Sequence, residues 1–160
     1  MVRKLYIGVV MTYSLECNLV DDFILFLPSS PFVEMGPFSV SKEFDYNRGR
    51  TDIILLTATR EIIAIEAKLE KWRYALDQAY KNTCFSNYSY VLLTKKTANL
   101  AMAHTSEFTL RGVGICYVSE GKIVILHNAA KTEPLQKWLF KLAQQKIMGE
   151  KISAEPCNTF

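Results

Sequence analysis

The chain has 160 residues, 49% of them hydrophobic and 22% charged, with a formal net charge of +3. That length and mix fit one globular domain, residues 1–160, able to bury roughly two thirds of its unfolded surface. They exclude low-complexity and repeat architectures, and no run approaches the ~18 apolar residues of a membrane span. The mild positive charge permits a nucleic-acid partner without demanding one.

Residues 1–13 have the outline of a signal peptide, with a basic start and an apolar stretch. The stretch is short, Glu16 stands just before Cys17, and no small-residue cleavage site follows, so no signal is expected. Cys17, Cys84, Cys116 and Cys157 are scattered without a Cys-x-x-Cys pair. That pattern predicts reduced thiols in a cytoplasmic protein rather than a zinc site or a disulfide framework. Leu15, Leu19, Val20, Phe23 and Phe26 lie close to one stripe, which predicts a helix over 14–27, while 5–11 reads equally well as strand. Residues 27–31 (Leu-Pro-Ser-Ser-Pro) form a weak break. A first strand is predicted over 38–46, turning at Asn47-Arg48-Gly49.

Two apolar, β-branched-rich runs follow, 49–57 and 61–68, separated by Ala58-Thr59-Arg60, and they read as a hairpin. After Lys68 the period changes. Trp72, Ala75, Leu76, Ala79 and Thr83 recur at helical spacing, which predicts an amphipathic helix over 70–84. Its opposite row, Lys71, Tyr74, Gln78 and Lys81, is polar and partly basic. A strand follows over 88–93, a helix over 97–110 with Thr97 as its cap, and a second hairpin, 113–118 and 122–126, across Ser119-Glu120-Gly121. Glu133-Pro134 opens a last helix with the stripe Leu135, Trp138, Leu139 and Leu142. A strand reached from a hairpin through a crossover helix joins the same sheet in parallel. The expected fold class is α/β, a central mixed β-sheet flanked by helices on both faces.

The first hairpin carries the chemistry. A loop at 58–60 pairs Thr57 with Glu61 and so sets Asp52 opposite Glu66, with β-carbons about 5 Å apart. Glu66 and Lys68 share a face because they are two apart on a strand. Both faces of the hairpin are otherwise apolar, so this polar end needs compensation. Two carboxylates so close repel unless one stays protonated or a cation lies between them. A hard divalent ion is the natural occupant. The ammonium of Lys68 beside it can hold a water. That set suits phosphodiester hydrolysis, in which a divalent ion polarises the phosphate and acidifies a water.

Arg50-x-Asp52, Glu66-x-Lys68, a helix with Gln78 and then a strand resemble the PD-(D/E)xK nuclease superfamily, in particular its small prokaryotic and phage-borne members. The match covers about residues 40–95, and Thr51 stands where the family's name has proline. The resemblance implies a restriction-endonuclease-like fold and Mg2+ or Mn2+ held by Asp52 and Glu66. The backbone carbonyl of Ala67 would complete the shell, Lys68 would position the attacking water, and Gln78 would point toward the site. It further implies a glutamate from the first helix, for which Glu16 is the candidate and Asp21 and Asp22 the reserves. DNA is the implied substrate, in repair, recombination, restriction or mobile elements, with RNA carrying the same linkage. A homodimer would provide two cuts.

Arg48 and Arg50 flank the constellation as phosphate contacts or as solvated turn residues, and Lys71, Arg73 and Lys81 form a basic helix face that suits a nucleic-acid backbone. Trp72 and Trp138 are expected in the core, His104 and His127 have no ligand spacing, and Lys137, Lys141 and Lys146 are expected to be solvated. The rival to the nuclease is a catalytically inactive nucleic-acid-binding or protein-assembly module of the same fold.

Overall fold

The computed structural model describes residues 5–7, 10–46 and 49–149. A short antiparallel pair, β1 (Leu5–Ile7) and β2 (Val10–Thr12), leads into α1 (Glu16–Phe26). Two 3-10 turns follow, and then a six-stranded sheet begins with β3 (Ser39–Asp45), β4 (Arg50–Leu56) and β5 (Ile62–Ala67). The chain continues through α2 (Trp72–Asn82), β6 (Tyr88–Leu93), α3 (Lys95–Ala101), α4 (Thr105–Arg111), β7 (Val113–Ser119), β8 (Lys122–His127) and α5 (Lys137–Gly149). Strand order in the sheet is sequential, β3 to β8. The three central strands β5, β6 and β7 are parallel, and the outer pairings are antiparallel. This is the mixed α/β architecture the sequence predicts.

Alternation along the strands divides the core between the two faces. Ile53, Leu55, Ile63, Ile65, Leu92 and Cys116 are buried with Leu19, Val20 and Phe23 of α1. On the opposite face Ile54, Leu56, Ile62 and Ala64 meet Leu139, Ala143 and Ile147 of α5. Beside them Val91, Leu93, Val113 and Ile115 meet α2, α3 and α4 through Ala75, Leu76, Ala98 and Phe108.

The hairpin between β4 and β5 has the predicted register, Leu56 beside Ile62 and Ile53 beside Ile65. Its loop is closed by Thr57, whose N–H donates to the Glu61 carbonyl at 2.9 Å and whose Oγ1 accepts the Glu61 N–H at 3.0 Å. Arg60 takes the left-handed conformation (φ 67) that such a short loop requires.

Three expectations are corrected. The helix expected over 97–110 is broken by a 3-10 turn at Met102–His104, and its cap is Thr94, whose Oγ1 accepts the Thr97 N–H at 3.3 Å. The last helix starts at Lys137, and just before it the Gln136 N–H donates to the Cys84 carbonyl at 3.0 Å. Its buried stripe is Leu139, Ala143 and Ile147, leaving Leu135 and Trp138 exposed at 87% and 62%. Cys17 is disulfide-bonded, whereas Cys84 and Cys116 are thiols. Cysteine spacing carries no sign of a bridge that depends on the fold bringing two Cα atoms close.

One irregularity positions the site. Lys42 reaches Asp21 of α1 on one face of the sheet, yet Phe44, two residues on, is buried on the other. In β4, Ile53 packs on the α1 side while Thr51 bonds Asn82 of α2. Both strands reverse their alternation at the facing residues Glu43 and Asp52, and Glu43 has a left-handed φ of 59. The ladders run Lys42 to Ile53 and then Phe44 to Thr51 on one side, and end at Ile53 with Ile65 on the other. Asp52 thus lies outside both ladders.

Candidate active site

Parallel β5 and β6 end together, with Ala67 beside Leu92, and chains of this architecture bind ligands outside the carboxyl ends of such strands. Asp52, Glu66 and Lys68 are gathered there. Released from the ladder, Asp52 accepts the Ala67 N–H at 2.8 Å through Oδ2. Glu66 is 2% exposed and accepts from Asn82 Nδ2 at 3.0 Å. The two carboxyl groups lie within hydrogen-bonding reach of each other.

Burial pushes the Glu66 carboxyl from its ordinary 4.5 up to about 8, and the neighbouring Asp52 charge pushes in the same direction. Asn82 and Lys68 pull the other way without prevailing. The Asp52 carboxyl is also raised, chiefly by burial, although the Ala67 amide stabilises its charge. Both shifts favour uptake of a positive charge, a proton or a cation, which is how two buried neighbouring carboxylates relieve their repulsion.

Lys68 is partly buried, with Nζ 3.8 Å from Glu16 Oε1 and 5.0 Å from the centre of the Tyr74 ring. Glu16 opens α1, and its Oε2 accepts the Leu69 N–H at 3.3 Å. Glu16 is thus brought to the site as the partner of Lys68. The reserves are engaged elsewhere: Asp21 pairs with Lys42 at 2.9 Å and Asp22 accepts the Tyr13 hydroxyl at 2.7 Å. Among the described residues no three His, Cys, Asp or Glu side chains converge into a group able to hold a metal ion.

A cleft of about 250 Å³ opens beside Glu66, lined by Tyr46, Gly49, Arg50, Tyr74, Asp77, Gln78 and Lys81. Gln78 also lines this cleft, and among the described residues its buried Oε1 has no hydrogen-bond partner. Arg50 and Lys81 line the cleft, and Lys71 is exposed just before α2. Arg73 does not join them. It binds both carboxylate oxygens of Glu107 at 2.8 and 3.0 Å and lies over the Trp72 ring at 4.3 Å, because α4 packs beside that side of α2. Arg48 lies outside the described residues. His104 lies against the Trp72 ring and beside Glu107, and His127 meets Thr109.

Sequence reasoning missed Asn82. Its Oδ1 accepts the hydroxyls of Tyr46 and Thr51, each at 2.9 Å, which leaves Nδ2 for Glu66. A signal was present: Asn82 continues the buried row of Ala75 and Ala79, where a polar side chain demands partners.

The fold and site together define an α/β protein with a paired-carboxylate cleft at the ends of its central parallel strands. No protein-family model matches the chain, and no curated protein matches it. Among solved structures, the fold is similar to that of a protein of unknown function from Silicibacter pomeroyi, at 16% identity and a TM-score of 0.61, covering 86% of this chain and 87% of that one. A structure of SfsA from Pyrococcus furiosus in complex with Ca2+ matches at 11% identity and a TM-score of 0.45, over 79% of this chain and 69% of that one. A repair endonuclease from Pyrococcus abyssi matches at 14% identity and a TM-score of 0.37, over 68% of this chain but only 49% of its own length.

Proposed function

We propose that this protein is a Mg2+- or Mn2+-dependent nuclease that hydrolyses phosphodiester bonds of DNA. One observation carries the reading: Asp52 and Glu66 are buried side by side at the end of β5, where Glu66 lines a cleft, at a cost in charge repulsion that burial increases. A structural role would not require two adjacent carboxyls there. A site for a cation does.

The donor set fits a hard divalent ion. Asp52, Glu66 and the carbonyl of Ala67 would hold it, and the lack of a third converging acid among the described residues suits Mg2+, which usually keeps several waters and takes one or two carboxylates plus substrate phosphate. When bound, such an ion supplies charge neutralisation at the phosphate and eases ionisation of a water. The chain's own groups supply position. Asn82 fixes the Glu66 carboxylate, and the Ala67 amide fixes Asp52. Lys68, steadied by Glu16 and Tyr74, donates to a water or phosphoryl oxygen over the carboxylates. Arg50 and Lys81 on the cleft wall favour an anionic substrate.

The test is cleavage of labelled single-stranded, duplex and branched DNA with Mn2+, alongside calorimetric titration of Mn2+. Cutting that requires the ion and disappears in folded Glu66→Gln supports the reading. Absence of Mn2+ binding at pH 8 removes it.

A further inference from the structure

The helix face expected to carry a nucleic acid is incomplete, since Arg73 is held by Glu107. The register of the parallel strands supplies other cations. The Lys68 N–H donates to the Leu92 carbonyl at 3.1 Å, so the segments leaving β5 and β6 run out side by side. They are tied at one point: Thr94 Oγ1 and Thr97 Oγ1 both donate to the Leu69 carbonyl, at 3.2 and 2.7 Å. Lys95 and Lys96 stand between those threonines, and Lys71 stands two residues beyond Leu69. All three lysines are exposed, and among the described residues none of them is in an ion pair. With Lys68 they make four lysines against the single carboxylate of Glu70 in the segments 68–71 and 94–97.

We infer that Lys71, Lys95 and Lys96 seat the phosphodiester backbone of a nucleic acid whose scissile linkage lies over Asp52 and Glu66. Ammonium groups on flexible stems act as point charges for successive phosphates and carry no base preference. The choice of partner rests on the nuclease reading; the convergence of charge around Leu69 does not.

The test is binding in EDTA, where nothing is cut, of labelled duplex and single-stranded oligonucleotides across a salt series. The variant combines Lys71→Ala, Lys95→Ala and Lys96→Ala. A charge-matched control combines Lys122→Ala, Lys137→Ala and Lys141→Ala, on β8 and α5. The salt slope for duplex should become shallower by about 2 to 3 in the first variant, at about 0.9 for each phosphate no longer neutralised, and stay unchanged in the control. An unchanged slope, an equal change in the control, or no binding by the wild type overturns the inference. A shallower slope in a protein that cuts nothing with Mn2+ keeps the surface and removes the nuclease. Mn2+-dependent cutting with the slope intact does the reverse.

Discussion

Asn82 Nδ2 donates to Glu66 Oε1 at 3.0 Å, joining the last residue of α2 to the end of β5. The bond is one arm of a buried hub that also takes the hydroxyls of Tyr46 and Thr51. Asn82→Ala strips partners from three buried groups at once, so the protein should lose about 1–3 kcal/mol of stability. Because supporting residues orient metal ligands, Mn2+ affinity should also fall about 10–100-fold. Thermal melts and calorimetry measure the two effects separately. A folded variant with wild-type Mn2+ affinity would show that Asn82 merely packs.

The raised carboxyls of Asp52 and Glu66 make stability depend on pH. Glu66 titrates near 8 when folded and near 4.5 when unfolded, so the folded state holds a proton that the unfolded chain releases. That contribution is complete below about pH 4.5 and is lost as pH rises through about 8. The melting temperature of protein in EDTA should therefore fall between pH 5 and pH 9 by roughly the several degrees that about 1 kcal/mol or more produces. Mn2+ should restore more at pH 8.5 than at pH 5, since it takes the proton's place. Glu66→Gln should flatten the profile; a slope that survives in that variant would assign the effect to other groups.

Much of this was legible in the sequence because the hairpin obeys local rules. A three-residue loop and two β-branched runs leave one register, observed from Leu56 with Ile62 to Ile53 with Ile65, one step short of Asp52 and Glu66. The strand at Tyr88–Leu93 and its parallel place in the sheet follow from the same periodicity and from crossover connection rules. Two things were not legible. The buried face of α5 depends on its packing against Ile54, Leu56 and Ile62 of the sheet, residues far away in the chain. The alternation reversal at Glu43 depends on a backbone torsion that Glu seldom adopts, so no residue preference announces it.

That reversal is itself testable. Glu43 is exposed in the middle of β3 with φ 59, a conformation that costs a non-glycine residue about 1–2 kcal/mol. Glu43→Gly should leave stability unchanged or raise it by up to about 1 kcal/mol, with Mn2+ binding intact. Glu43→Val should lower both, because a β-branched side chain favours extended backbone and so restores an alternation that points Thr51 away from Asn82. Chemical denaturation and calorimetry of the two variants decide it. Valine tolerated as well as glycine would disconnect the torsion from the site.

Lys68 separates binding from chemistry. Its ammonium lies near Glu16 and over Tyr74 rather than among the donors expected to hold an ion, and its positive charge opposes a cation at Asp52 and Glu66. Lys68→Met should therefore keep or tighten Mn2+ binding while reducing the cleavage rate at saturating metal by about 100-fold or more, the usual cost of losing one donor to developing charge. Lys68→Arg should not rescue the rate, because a planar fork cannot occupy the space that a single ammonium fills between Glu16 and the Tyr74 ring. Glu16→Gln should give a smaller loss than Lys68→Met, since it leaves the ammonium in place and removes only the charge that steadies it. Parallel loss of Mn2+ binding and rate in Lys68→Met would instead make the lysine a structural support for the carboxylates.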